Sequence, residues 1–192
     1  MSTDIPKTPL QNSWTLWYDN PRMQKADESW LDNLKNISTF SSVEDFWSCY
    51  NNVLPASKTS PNSNYHLFKD GVVPMWEDEG NKKGGKWIIS IPKADRASGK
   101  VDEWWLYTCL ALIGETLDKS GLEVCGAVVS IRKSQDRLAL WVRGTDKKPV
   151  MEVGQRWKVA LEVSDRTTMK FQSHADATKN MSSFKNKDMY EC

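Results

Sequence analysis

Two histidines, and four cysteines without a single C-x-x-C pair, leave this 192-residue chain little from which to build a zinc site. No stretch is apolar over the length that a membrane-spanning helix needs, and the opening "MSTDIPKTPL" has no apolar centre like that of a signal peptide. Charge of either sign is barely in excess: 26 Lys and Arg against 25 Asp and Glu give a net +1. That excludes a protein wrapped along nucleic acid by bulk charge, and it leaves room for a local basic pocket. A Gly-rich phosphate loop, a metal-ligand cluster and a nucleophile–histidine pairing are missing as well, which removes the common enzyme signatures. Repeats and linkers are absent too. The reading is one α+β domain, soluble and intracellular, with Cys49, Cys109, Cys125 and Cys192 as reduced, mostly buried thiols.

Tryptophan is what the chain has in abundance, with ten copies. Cores absorb most large aromatics, so the useful question is which indoles stay outside. In "VPMWEDEGNKKGGKW" (73–87), Trp76 stands directly before Glu77, Asp78 and Glu79, and Lys82, Lys83 and Lys86 follow. An indole, a carboxylate and nearby cations together suit a purine nucleotide. The ring stacks the base, the carboxylate accepts two donors from the guanine edge, and the cations take phosphates. Adenine lacks that pair of adjacent donors. If Trp30 closes the other side, two electron-rich rings favour a cationic base, such as guanine methylated at N7. The competing reading of Trp30, a staple that packs its loop, stays open at this point.

Periodicity predicts strands over 10–19, 34–40, 65–70, 86–91 and 169–174, and a hairpin over 125–143. It predicts helices from a Ser41 cap, with Glu44 reaching back, to before Pro55, and over 98–118 and 148–163. Residues 1–9 and 177–192 read as flexible tails around a domain at 10–176.

In the hairpin, Val129, Ile131, Leu138, Leu140 and Val142 share one wholly apolar face, while Val128, Ser130, Arg132, Arg137, Ala139, Trp141 and Arg143 share the other. A four-residue turn at 133–136 sets Arg132 opposite Arg137 and Val128 opposite Trp141. Two guanidiniums side by side repel unless an anion joins them. Lys86, opening the 86–91 strand after Gly84-Gly85, can converge with them on a phosphate chain. A solvated hairpin end is the plainer alternative.

The ordered set "TPLQNSWTLWY", "VEDFW", "YHLFKDGVVPMWEDEGNKKGGKW", "WLYTCLALIGE", "CGAVVSIR" and "QSHAD" resembles eukaryotic translation initiation factor 4E, a family that binds the 7-methylguanosine cap of messenger RNA. The resemblance spans about residues 8–180. It implies a strongly curved antiparallel sheet with the cap on its concave face and three helices on its convex face. It implies stacking by Trp30 and Trp76, guanine-edge recognition by Glu77 with the Trp76 backbone on O6, and contact of Trp141 with the N7-methyl group. It assigns the phosphates to Arg132 and Arg137, with Lys86 in support, and places the second nucleotide near Lys179. On the convex back it implies that Pro9, Val43, Trp47, Leu106 and Leu110 receive a Y-x-x-x-x-L-φ helix of the scaffold factor 4G or of a 4E-binding repressor. No cofactor and no enzymatic activity are implied, and the compartment is the cytoplasm, with the nucleus as a second one.

Three positions depart from the family pattern: Thr8 stands where His is usual, Ser134 where Lys is common and Tyr107 where Glu is frequent. They imply one fewer phosphate charge and a changed partner preference. Two other functions remain beside the cap-binding activator. One is a relative that represses translation through a different partner, and the other is a single-stranded RNA-binding domain with no need for the methyl group.

Overall fold

The computed structural model describes residues 6–22, 27, 29–119, 123–180 and 186–192. Among these residues eight strands form one open, curved antiparallel sheet: β1 (Pro9–Asp19), β2 (Lys35–Ser42), β3 (Asn64–Lys69), β4 (Gly85–Pro92), β5 (Val124–Ser130), β6 (Gln135–Val142), β7 (Lys170–Ser173) and β8 (Tyr190–Glu191). Their order across the sheet is β2-β1-β3-β5-β6-β4-β7-β8. Six α-helices accompany them among the described residues: α1 (Trp30–Asn33), α2 (Val43–Tyr50), α3 (Lys93–Ala97), α4 (Lys100–Ile113), α5 (Lys147–Ala160) and α6 (His174–Asn180).

Alternation along the strands divides two environments. Trp14, Leu16, Tyr65, Leu67, Trp87, Ile89, Val129, Leu138 and Leu140 face the main core, where α2, α4 and α5 cover the sheet. Trp87 donates its indole N–H to Val150 O at 2.9 Å, and Trp157 donates its own to Thr108 Oγ1 at 3.0 Å. These two bonds pin α5 to β4 and to α4. Gly154 makes the close approach possible, since a Cβ there would lie 2.7 Å from the Trp87 ring. The opposite face carries a small apolar cluster of Phe68, Cys125, Val128 and Trp141, with Trp76 and Ala139 packed on it. The rest of that face is polar and open.

The hairpin keeps the expected faces but not the expected register. Ser130, not Arg132, lies opposite Arg137, and Val128 pairs with Ala139. Asp136 is the reason. It is fully buried, accepts the Arg132 backbone N–H at 2.9 Å and forms an ion pair with Arg96 of α3. β6 therefore starts two residues ahead of its pairing with the end of β5, with Gln135 paired to Pro92 of β4. A two-residue slip preserves the parity of every side chain, which is why the faces survive.

Other boundaries also shift. Ser42, not Ser41, caps α2, accepting from Asp45 N at 3.1 Å, and Glu44 instead takes the Thr8 N–H at 2.8 Å. The 98–118 helix is shorter, running from Lys100 to Ile113, because Gly99 at φ 82° breaks it from α3. The fold also continues past residue 176 through α6 and β8, where Tyr190 stacks on Phe171 with centroids 5.7 Å apart. Ser182 and Ser183 lie outside the described residues. All four cysteines are free; Cys109 and Cys125 are buried, Cys49 and Cys192 half-buried.

Candidate functional site

The loop between β3 and β4 folds around two side chains. Asp78 accepts the Val73 and Gly80 N–H groups at 3.1 and 2.8 Å. Asn81, fully buried, donates to Val73 O at 2.8 Å and to Met75 O at 2.9 Å. The three consecutive acids thus have three separate positions. Asp78 ties the loop, Glu79 pairs with Lys82, and Glu77 is exposed with no ion pair among the described residues. Trp76 stays half-buried, its ring resting on the apolar cluster of the open face.

Trp30 opens the short α1, which Ser29 and Asp32 close by a reciprocal capping box. Its ring meets His66 edge-on, with centroids 6.3 Å apart and planes at 75°. Helix capping and this aromatic contact fix an indole that would otherwise hang from a loop.

At the other end stand three cations. Arg132 lies just past β5 and turns toward β3. Its guanidinium donates to Ser63 O at 3.1 Å, Ile131 O at 3.0 Å and Asn64 Oδ1 at 2.8 Å. Lys86, near the start of β4, is only 5% exposed. Burial, and after it the charge of Arg137, push its ammonium down to about 8. Burial also lowers the guanidiniums of Arg132 and Arg137. All three shifts run in the direction that a bound anion would reverse.

Trp141 forms the wall between the two ends. It is 5% exposed, meets Phe68 edge-on at 5.4 Å and lies 4.1 Å from the ring of His174. His174 is fully buried, and burial together with Lys86 holds its imidazole down to about 3, so it is neutral near pH 7.

These residues share one cavity of about 460 Å³. Trp30, Trp76, Glu77, Lys86, Arg132, Arg137 and Trp141 all line it. Seven side chains drawn from five separate stretches of sequence therefore converge. On the helix-covered face, Pro9 is exposed, and Val43, Trp47, Leu106 and Leu110 are half-buried on α2 and α4, so none of the five is fully enclosed core.

The sequence profile of the family described as "Eukaryotic initiation factor 4E" matches residues 9–189. The chain belongs to the eukaryotic initiation factor 4E family. A 4E factor of Aplysia californica is 45% identical over 187 residues, covering 95% of this chain and 84% of the relative. The human 4E factor is 44% identical over 183 residues, covering 94% and 82%. Among solved 4E-family structures, that of Ascaris suum eIF4E-3 with the m7G cap superimposes with a TM-score of 0.86 at 37% identity, covering 97% of this chain and 98% of that one. The same Ascaris protein with the m2,2,7G cap gives 0.85 at 37% identity, with the same coverage. The complex of C. elegans eIF4E-3 with the 4E-binding protein Mextli and a cap analogue gives 0.86 at 34% identity, covering 97% and 100%.

Sequence reasoning missed the floor of this 4E-family cavity. Asp19, Asn64 and His66 all line it, and all three are nearly or fully buried. Alternation groups Asn64 with His66 on one side of β3, but only the pairing of β3 with β1 and β5 sets them and Asp19 on the face of Val128 and Trp141.

Proposed function

We propose that this chain binds the 7-methylguanosine 5′ cap of messenger RNA on the open face of its sheet and recruits a translation partner through its helix-covered face. The single observation that carries the cap reading is the convergence of two indoles, a free carboxylate and three desolvated cations on one cavity. Trp30 and Trp76 sandwich the base. Stacking contributes about 1–3 kcal/mol per ring, and the positive charge of an N7-methylated guanine adds ~0.5–2 by cation–π attraction. Glu77 accepts the N1–H and N2–H donors, while the Trp76 N–H, unused in the backbone hydrogen bonds of its own loop, takes O6. Trp141 borders the methyl group. Arg132, Arg137 and Lys86 take the phosphates, relieving the burial of their own charges.

The partner reading rests on Val43 and Trp47 of α2 and Leu106 and Leu110 of α4, all left half-covered, with Pro9 exposed at the start of β1. This fits an apolar groove for a Y-x-x-x-x-L-φ helix of the scaffold factor 4G or of a 4E-binding repressor. The cap is the only ligand in this reading, with no cofactor and no catalysis. No helix among the described residues is long and apolar enough to cross a membrane. The cytoplasm, where messenger RNA is translated, is the proposed compartment.

Titration of the intrinsic tryptophan fluorescence with 7-methyl-GTP and GTP at matched salt tests the reading. Strong quenching and much tighter binding of the methylated nucleotide is the expected result. Equal affinity for both would remove the sandwich of a cationic base and leave a fold without this function.

A further inference from the structure

Asp19 closes β1 with its carboxylate wholly inside the protein, under the cavity. One oxygen of that carboxylate serves two neighbours. Asp19 Oδ1 accepts from Asn64 Nδ2 at 2.9 Å and lies 2.6 Å from His66 Nε2, which donates to it. Each neighbour then touches a different end of the cavity. Asn64 Oδ1 accepts from Arg132 Nη2 at 2.8 Å, and the His66 ring stands edge-on to Trp30 at 6.3 Å. All five residues line the same cavity, and Asp19, Asn64 and His66 are 0%, 8% and 5% exposed.

We propose that Asp19 is a positioning residue that organises both ends of the site: through Asn64 it sets the guanidinium fork of Arg132, and through His66 it sets the indole of Trp30. This rests on the cap-binding reading of those two residues.

An Asn amide without Asp19 can rotate, turning its oxygen toward Arg132 or away from it. The carboxylate removes that freedom. It accepts only, so the NH₂ must face Asp19 and the oxygen must face Arg132. The same logic fixes the histidine, since a carboxylate opposite Nε2 requires the proton on that nitrogen and so sets the ring's orientation. The Asp19 charge also favours the charged form of Arg132 against the cost of its burial. A guanidinium whose direction is set before the ligand arrives loses less freedom on binding a phosphate. A long Arg side chain on a loop has much freedom to lose.

The two arms predict different ligand dependences, which a merely structural role for these residues would not produce. Affinities for 7-methyl-GTP and for 7-methylguanosine, which has no phosphates, are measured by fluorescence for each variant, with thermal melts alongside. Asn64→Ala, with Asn64→Ser as a second variant, is expected to weaken 7-methyl-GTP about tenfold and leave the nucleoside unchanged. In an Arg132→Ala background that tenfold loss should vanish. His66→Gln keeps a donor for Asp19 but removes the ring edge, and it should weaken both ligands by the same factor. Asp19→Asn, nearly isosteric, should show both losses together. An unchanged 7-methyl-GTP affinity in both Asn64 variants, an equal loss of both ligands in those two variants, additivity with Arg132→Ala, or an Asp19→Asn variant that binds both ligands as the parent does would overturn the proposal. The cap reading fails separately. If the unaltered protein bound GTP as tightly as 7-methyl-GTP, the base assignment would fall, while the coupling of Asn64 to Arg132 would still be readable on either triphosphate.

Discussion

Lys86 faces Trp141 across the β4–β6 pair, with its Nζ 6.0 Å from the indole centroid. The ammonium is nearly enclosed, and burial together with Arg137 lowers it to about 8 from an ordinary 10.5. Two opposite pH dependences follow. The unfolded chain holds its lysine proton up to the ordinary value, so between about 8 and 10.5 the unfolded state binds more protons and stability rises with pH. Ligand affinity should fall through the same region, because a phosphate binds the charged ammonium and must draw a proton in above about 8. Fluorescence titrations with 7-methyl-GTP from neutral to alkaline pH check this. The methylated base loses its own N1 proton as pH rises, so Lys86→Arg is the control. That variant should retain the base-linked loss and lack the part due to the lysine. Superimposable profiles would remove Lys86 from the phosphate site.

Glu77 and Asp78 are adjacent acids with separable roles. Glu77 is exposed and lines the cavity, so Glu77→Ala should leave the melting temperature unchanged. Its two hydrogen bonds to the guanine edge have a charged acceptor, at about 1.5–3 kcal/mol each, so affinity for 7-methyl-GTP should drop on the order of a hundredfold or more. Asp78 instead holds the loop through Val73 and Gly80. Asp78→Ala should cost stability, ~1–3 kcal/mol for the two N–H groups it abandons, and weaken binding by displacing Trp76 and Glu77 together. Parallel urea denaturation and titration of the two variants separate the cases. A destabilised Glu77→Ala would reassign that carboxylate to the loop.

Trp47 leans on Phe46 and Tyr50, with centroids 5.1 and 6.0 Å away, yet it keeps part of its ring outside. Trp47→Ala should abolish binding of a peptide carrying the Y-x-x-x-x-L-φ motif and leave 7-methyl-GTP affinity intact. Truncating a fully buried Trp costs about 3–5 kcal/mol, and this half-covered one should cost about half as much. Calorimetry with the peptide, and titration with the nucleotide, decide between an interface residue and a core residue. Joint loss of both ligands with an unfolded spectrum would make it core.

Legibility in the sequence followed the range of the interactions. Alternation is local, so the faces of the hairpin and of β4 were readable from "AVVSIRKSQDRLALWVR" and "KWIISI" alone. Register was not, because it depends on Asp136 meeting Arg96, forty positions away in the chain. The α2 cap slipped by one residue for a similar reason. Glu44, the expected capping partner, is engaged by the Thr8 backbone, and Ser42 with Asp45 takes the role. The cavity's rim was legible because Trp76, Glu77 and the cations carry recognisable chemistry in short motifs. Its floor was not, since Asp19, Asn64 and His66 acquire meaning only when β1 and β3 are paired.

Asp136 offers the most direct test of how the fold serves the phosphate end. It is fully buried, pairs with Arg96 and accepts the Arg132 backbone N–H at 2.9 Å, while Arg96 also donates to Arg132 O at 2.7 Å. Removing one partner of a buried ion pair typically costs about 3–5 kcal/mol, and the partial exposure of Arg96 places Asp136→Ala near the lower end of that range. The backbone N–H of Arg132 then loses its acceptor, and Arg96, the donor to Arg132 O, loses its ion-pair partner. The Arg132 guanidinium keeps Asn64 and the carbonyls of Ser63 and Ile131, but on a loop that is free to shift. Affinity for 7-methyl-GTP should therefore fall several-fold in the folded variant, with affinity for 7-methylguanosine preserved. Measuring both ligands well below the lowered melting temperature isolates the effect. Equal affinities in variant and parent would mean that the side-chain contacts alone hold Arg132, and that the Asp136–Arg96 pair serves only stability.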